Sequence, residues 1–204
     1  HRHYRRQRQM CIRDRSRDAA YRAENIRFNE NKSTYTLFCA EENLGELHLN
    51  VPGEHNIMNS LGAVTLGFEL GLSFNSIKSG LTNYSGVRRR FDIKGVHKDI
   101  MIVDDYAHHP TEVRETINAI KNGWSHNLIV IFQPHLYSRT KEFYKAFANA
   151  LDDADYIILT DIYPAREEPI PGVSSKLIFD QIKTKNTGKL FYLKDLDKLH
   201  NIID

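Results

Sequence analysis

The sequence is poor in cysteine and in long apolar runs, and each shortage closes off a class of protein. Its two cysteines, Cys11 and Cys39, stand far apart in no ligand-like spacing. That excludes a disulfide framework and a zinc cluster built on thiolates. The usage suits a reducing compartment, and a cytoplasmic location is the expectation. Nowhere do about 18 consecutive apolar residues occur, so neither a membrane span nor a membrane partner is expected. Three motifs are also missing from the 204 residues: a GxGxxG turn behind the first parallel-type strand, a GxSxG nucleophile elbow, and a GxxxxGK phosphate loop followed by Ser or Thr. Dinucleotide binding and serine-hydrolase chemistry lose their usual supports, and no phosphate cradle with its lysine is available.

What is present fills one ordinary domain or two small ones, since 41% of the residues are hydrophobic. The net charge of +2 hides an uneven distribution. Residues 1–17, "HRHYRRQRQMCIRDRSR", hold seven arginines and one aspartate. Taking these from the chain's 28 basic and 26 acidic residues leaves 21 against 25, a net charge of −4. As native sequence, such an arm would be a nucleic-acid tail or a transit-like leader without the apolar core of a secretory signal. "MCIRDRS" resembles translated adapter read-through at the ends of assembled fragments, so the arm is read as non-native and set aside. Residues 18–204 carry no basic patch, and no nucleic-acid partner is expected.

From residue 21 the chain alternates in short bursts, "ENIRF", "STYTLFC" and "GELHLNV", which predict hairpin strands with Asn- and Glu-rich turns. Behind "VPGEHN", the residues Ile57, Leu61, Val64 and Phe68 recur at helical spacing, with Gly71 at the end. "SFNSIKSGLTNY" reads as a further short helix. Near residue 90 the rhythm changes. "IMIVDD", "LIVIF", "YIILT" and "KLFYL" are short apolar runs separated by amphipathic helices over "PTEVRETINAIKNG", "RTKEFYKAFANAL" and "SSKLIFDQIK". In the first helix Pro110 suits the opening turn, Glu112 the positive end of the dipole and Gly123 the C-terminal cap. In the second, Phe143, Phe147 and Ala150 share a face. Continuous apolar strands alternating with such helices predict a parallel sheet covered on both faces. About four strands are visible where doubly wound domains have about five or six, and the alternation stops at "DLDKLHNIID". A chain truncated at both ends is the expectation.

In open parallel sheets, ligands bind beyond the carboxyl ends of the strands. Here three such loops are unusually polar: "DDYAHHPT", "QPHLYSRT" and "DIYPAREEPIPGVSS". Asp104, Asp105, His108 and His109 are all possible metal ligands, but no HxH or HxxxH spacing accompanies them, and no metal is assigned. Ser138 neighbours His135 without any mark of a nucleophile. Upstream, Asn56 and Asn59 sit at i and i+3 near a helix start, placed either to cap backbone or to meet a base edge. "GVRRRFD" sets three arginines at the change of rhythm, either a solvated face or a phosphate contact.

In this order, "GEHNIMNSLGA", "RRRFDIKG", "VDDYAHHPTEV", "FQPHLYSRT" and "DIYPAREEPIPGVSS" resemble the Mur ligase family over about residues 20–204. The resemblance implies an α/β chain: residues 18–89 as the end of a central ATPase domain, and 90–204 as an incomplete Rossmann-like C-terminal domain. It implies ATP and Mg²⁺ as cofactors, held mainly by parts of the full-length enzyme outside this chain. Within the family the motifs best fit the member that joins L-alanine to UDP-N-acetylmuramate through an acyl phosphate. A murein-recycling member attaching a peptide to the same sugar nucleotide is the alternative. From another class, the alternative is a non-catalytic nucleotide-binding module with a nucleic-acid-binding arm.

The same resemblance casts His55 and Asn56 at the adenine, Asn59 as support for that helix, Arg90 at the ATP phosphates, and Asp105 at the ribose. Tyr106, His108, His135 and Arg139 would face the muramoyl and alanyl groups, with Arg90 and His108 in catalytic roles. The family often has Arg where this chain has Leu136, which leaves Arg139 as the carboxylate clamp. Lacking the phosphate loop, the 204-residue chain alone is expected to be inactive.

Overall fold

The computed structural model describes residues 20–183, 190–194 and 199. The arginine-rich arm and nearly all of residues 195–204 lie outside the described residues. The chain divides into two compact units. One comprises the residues up to Asp105 with Asn118–Trp124; the other comprises Tyr106–Ile117 with the residues from Ser125 onward.

The first unit opens with an antiparallel meander of β1 (Tyr21–Asn29), β2 (Lys32–Cys39) and β3 (Glu42–Leu49), hydrogen-bonded in that order. Its two-residue turns place Glu30 and Ala40 at positive φ, the backbone hand that tight hairpins use. Along β2, Ser33, Tyr35 and Leu37 alternate into the core. There they meet Leu47 and Leu49 of β3 and the apolar stripe of α1 (Glu54–Glu69). That stripe is the expected one: Ile57, Leu61 and Val64 are buried, and Phe68 packs beside them. Burial of each such side chain stabilises by roughly 1.5–3 kcal/mol. The buried Tyr35 hydroxyl lies 2.7 Å from the Ser60 hydroxyl, so a polar tip in the core is satisfied. Burial pushes the Tyr35 hydroxyl up to about 12 against the opposing hydrogen bond from Ser60. Helix α1 ends as expected at Gly71, whose φ of 79° lets Gly71 and Leu72 donate to the carbonyls of Phe68 and Gly67. Helix α2 (Phe74–Asn83) starts on the Ser73 side chain, which accepts the Ser76 N–H at 3.2 Å.

Two features of this unit differ from the sequence-based expectations. The run "IMIVDD" forms β5 (Ile100–Asp104), but it pairs antiparallel with β4 (Asp92–His97) instead of leading the parallel sheet. Lys98 and Asp99 connect the two strands with φ values of 47° and 64°. That is the hand of a type I′ hairpin turn, made here without the usual Asn-Gly pair. The second difference concerns Gly123, expected as a helix cap. It is the last residue of α3 (Pro110–Gly123), and a Cβ built on it would sit 2.7 Å from the Glu30 carbonyl oxygen. Its own carbonyl accepts the Glu30 N–H at 3.0 Å. Glycine is needed here for close approach of two backbones. Gly123→Ala is therefore expected to destabilise by about 1–3 kcal/mol, read as a lowered urea midpoint.

In the second unit, β6 (Ile129–Phe132), β7 (Tyr156–Thr160) and β8 (Leu190–Leu193) form a parallel sheet in that order. The expected parallel sheet is therefore three-stranded among the described residues. Its central strand is covered on both faces, since Ile157, Ile158, Leu159 and Thr160 are all buried. The edge strand β6 leaves Ile129 and Ile131 exposed. Helices α4 (Tyr137–Leu151) and α5 (Lys176–Lys183) pack against each other. Helix α4 buries Phe147, Ala148, Ala150 and Leu151, and Phe147 meets Phe132 of β6 with ring centroids 5.2 Å apart.

Candidate functional site

The three polar loops expected to converge do so in the second unit. Behind β6, the Leu136 N–H donates to the Tyr163 carbonyl at 3.0 Å; behind β7, the Tyr163 N–H donates to the Pro134 carbonyl at 2.8 Å. These two bonds extend the parallel pairing one step past the strands, as a bridge between His135 and Tyr163. The junction forces Leu136 to a φ of 73°, a conformation that costs a branched residue of order 1–3 kcal/mol. Directly after it, α4 begins, and the Leu136 carbonyl accepts from the N–H and hydroxyl of Thr140.

The third loop adds Tyr106 and His108. Glu112 fixes it: one carboxylate oxygen accepts the N–H groups of His108 and His109 at 3.0 and 3.1 Å. This is the reciprocal grip of a helix-capping Glu, more specific than the dipole role expected for it. His109, unassigned from the sequence, accepts the Thr111 N–H and packs edge-on against Phe143 at 5.1 Å.

Four rings thus gather. Tyr106 lies 5.0 Å from His108 and 6.3 Å from His135, the two histidines are 6.2 Å apart, and Tyr163 lies 5.5 Å from His135. Arg139, in the first turn of α4, brings Nη1 to 3.3 Å from His135 Nδ1. Tyr106, His108, His135 and Arg139, selected from the sequence as substrate contacts, are all in this cluster. Tyr163 and Glu167 were missed. Tyr163 stands three residues behind β7, as His135 stands three behind β6, and that matched spacing was the available signal.

The ring nitrogens have distinct roles. His108 Nδ1 lies 2.8 Å from the Tyr106 carbonyl, which can only accept, so Nδ1 carries the proton and Nε2 is the acceptor in the neutral ring. His135 is the reverse, because a guanidinium can only donate and Nδ1 must accept from it. Burial, then the charge of Arg139, then His108 hold the His135 imidazole below its usual range, while Glu167 opposes them. Replacing Arg139 with Gln is expected to raise the His135 midpoint, read from its ring-proton titration by NMR. Because the folded chain takes up this proton less readily than the unfolded one, the contribution to stability is present above about pH 6.5. It is lost as pH falls below that value through the folded midpoint.

The other candidates belong to the first unit. His55, Asn56 and Asn59 lie on the first turns of α1. Asn56 Nδ2 donates to the Pro52 carbonyl at 2.7 Å, a backbone-capping bond that also fixes the plane of the amide. Asn59 is exposed. Arg90 sits in a tight turn closed by its N–H on the Val87 carbonyl at 3.1 Å. Asp105 accepts the N–H of Phe91, the next residue, at 3.1 Å, and Phe91 stacks on Trp124. Arg90 and Asp105 are thus linked through one residue. Asp104 lies 3.7 Å from both Arg89 Nε and Lys94 Nζ. Among the described residues, no group of three or more His, Cys, Asp or Glu side chains is placed to hold a metal ion. Among them also, no helix is long and apolar enough to cross a membrane.

The chain is 42% identical over 181 residues to the UDP-N-acetylmuramate–L-alanine ligase of Geotalea daltonii, covering 89% of this chain and 40% of that relative. The chain thus spans about 40% of the length of the curated relatives it matches. Among solved structures, the UDP-N-acetylmuramate–alanine ligase of Thermotoga maritima is 28% identical with a TM-score of 0.77, over 93% of this chain and 40% of that one. The murein peptide ligase of Psychrobacter arcticus, 23% identical over 91% of this chain and 38% of its own, has a TM-score of 0.57 and shares the fold. The family described as Mur ligase, glutamate ligase domain, matches residues 89–203, more than half of the sequence. The chain belongs to the Mur ligase family.

Proposed function

We propose that this chain is the amine-accepting part of a bacterial, cytoplasmic ligase that joins L-alanine to UDP-N-acetylmuramate at the expense of ATP. The observation that carries this reading is the convergence of Tyr106, His108, His135 and Arg139 on one cluster. An amino-acid acceptor needs a cation for its carboxylate and a proton acceptor for its ammonium group. Arg139 offers the first, with planar donors suited to a carboxylate. His108 Nε2 offers the second, in a ring whose tautomer is fixed by the Tyr106 carbonyl. His135 accepts from Arg139 and steadies the guanidinium. The activity of relatives about 42% identical to the chain, ligation of L-alanine to UDP-N-acetylmuramate, supports L-alanine over a peptide.

Residues 18–89 are assigned to the central ATP-binding domain and 90–204 to the C-terminal domain, a division supported by a family match that begins at residue 89. The residues of the first unit fit a nucleotide. With one hydrogen of Nδ2 held by Pro52, Asn56 keeps an amide oxygen and a second N–H, the pair that reads an adenine edge. Arg90 and Asp105 would take phosphate and ribose, and ATP would supply the activated phosphoryl group. Mg²⁺ has no ligand cluster among the described residues, so no step is assigned to a metal held by this chain.

The test is ADP release by the complete enzyme. It is expected to require L-alanine and UDP-N-acetylmuramate together, while the 204-residue chain alone yields none. Ligation by this chain alone, or ADP release indifferent to L-alanine, would sink the assignment.

A further inference from the structure

Glu167 has no assigned role, yet it makes the most specific polar contact between the two loops behind β6 and β7. One carboxylate oxygen accepts the Ser138 N–H at 2.9 Å, and the other accepts the Ser138 hydroxyl. Its own N–H donates to the Pro164 carbonyl at 2.9 Å, and Ala165 between them turns at a φ of 52°. The carboxylate is thus presented by a folded turn, not by an extended arm. Ser138 is the residue before Arg139 and the second residue of α4, whose entry is the strained Leu136. No side chain of Leu136 caps the helix, so Glu167 supplies from 29 residues away what a local capping residue would normally supply.

We propose that Glu167 is a positioning residue for the amine-accepting site, its two-oxygen grip on Ser138 fixing the first turn of α4 and so the direction of Arg139 beside His135. Four observations converge on it. The two loops are already zipped by backbone bonds at Tyr163. The strained Leu136 needs an external hold to stay where it is. The contact is charge-assisted and made through both oxygens, the geometry that adds direction as well as attraction. The Ser138 hydrogen bonds keep the Glu167 carboxyl below the usual carboxylate range, so it stays ionised in its role. Its charge also opposes Arg139 in its effect on His135. Removal would therefore free Arg139 from the turn that directs it beside His135.

The proposal rests on the function given above, and its test separates the two. In the complete enzyme, Glu167→Gln is expected to raise KM for L-alanine about tenfold, a change of one factor of ten in binding, while KM for ATP stays within about twofold. Ser138→Ala keeps the charge and loses one of two bonds, so it is expected to raise KM for L-alanine less. Ser138→Thr, which keeps both donors, is expected to behave as wild type. A Glu167→Gln enzyme with wild-type KM for L-alanine, or a Ser138→Thr enzyme as impaired as Glu167→Gln, would overturn the proposal. A wild-type enzyme that ligates no alanine would overturn the assigned function; the Arg139 side-chain Nε–H signal in an NMR spectrum would then decide the grip, moved or broadened in Glu167→Gln if the grip directs Arg139, and unchanged if it does not.

Discussion

Arg139→Ala is expected to lower kcat/KM for L-alanine about 100-fold in the complete enzyme, with KM for ATP changed by no more than about twofold. The size follows from what the guanidinium does. It is the cation of the ring cluster, held by His135 Nδ1 at 3.3 Å and by the His135 carbonyl at 3.4 Å. Removing a charged partner from a desolvated contact costs about 2–5 kcal/mol, and about 2.7 kcal/mol is already 100-fold. Leu136 sharpens the expectation, because that position offers no guanidinium to compensate. Arg139→Lys is expected to recover only part of the loss, since an ammonium cannot present two parallel donors. A loss of less than about threefold in Arg139→Ala would remove the residue from the carboxylate contact.

The largest effect on stability is expected at the other end of the same helix. Phe147 is 1% exposed and meets Phe132 across the junction of α4 with the parallel sheet. Phe147→Ala would leave a cavity between a helix and the strand behind which His135 sits, at a cost of about 3–5 kcal/mol. That is a large share of the stability of a small domain. Phe147→Leu is expected to cost less, because most of the volume is restored. Urea denaturation with an unchanged slope and a lowered midpoint is the expected readout. A cost below about 1 kcal/mol in Phe147→Ala would mean that α4 is anchored elsewhere. Paired with Arg139→Ala, this variant separates two uses of one helix, since the first should alter stability and the second acceptor binding.

Much of the fold was legible because its signals are local. The stripe Ile57, Leu61, Val64 and Phe68 repeats at the helical period within a single helix and is buried as such. "YIILT" is apolar throughout because β7 is covered on both faces, and its run needs no partner to be recognised. Strand β4 was not visible. "DIKGVH" has no alternation, five of its six residues are exposed, and its turn is Lys-Asp in place of a recognisable Asn-Gly. Without β4 as its visible partner, "IMIVDD" reads as the leading strand of the parallel sheet. Gly123 was read through its neighbours in sequence, whereas its constraint comes from Glu30, far upstream.

The site divides in the same way. Tyr106, His108, His135 and Arg139 could be found because they lie in short polar loops directly behind apolar strands, where ligand chemistry collects. Glu167 and Tyr163 lie in an equally polar loop, but their importance depends on contacts with Ser138 and His135 that cross from one loop to another. Sequence spacing carries no information about such a pair until the register of β6 and β7 is known. His109 is the opposite case: it looks like chemistry, and its ring, just ahead of α3, packs on Phe143 of α4.

The most direct test of the central claim is the acceptor preference of the complete enzyme carrying this segment. With UDP-N-acetylmuramate and ATP saturating, kcat/KM should be compared for L-alanine and for the peptide accepted by the murein-recycling member. A preference for L-alanine of about 100-fold or more is the predicted result. Equal use of the two acceptors, or a preference for the peptide, would contradict it.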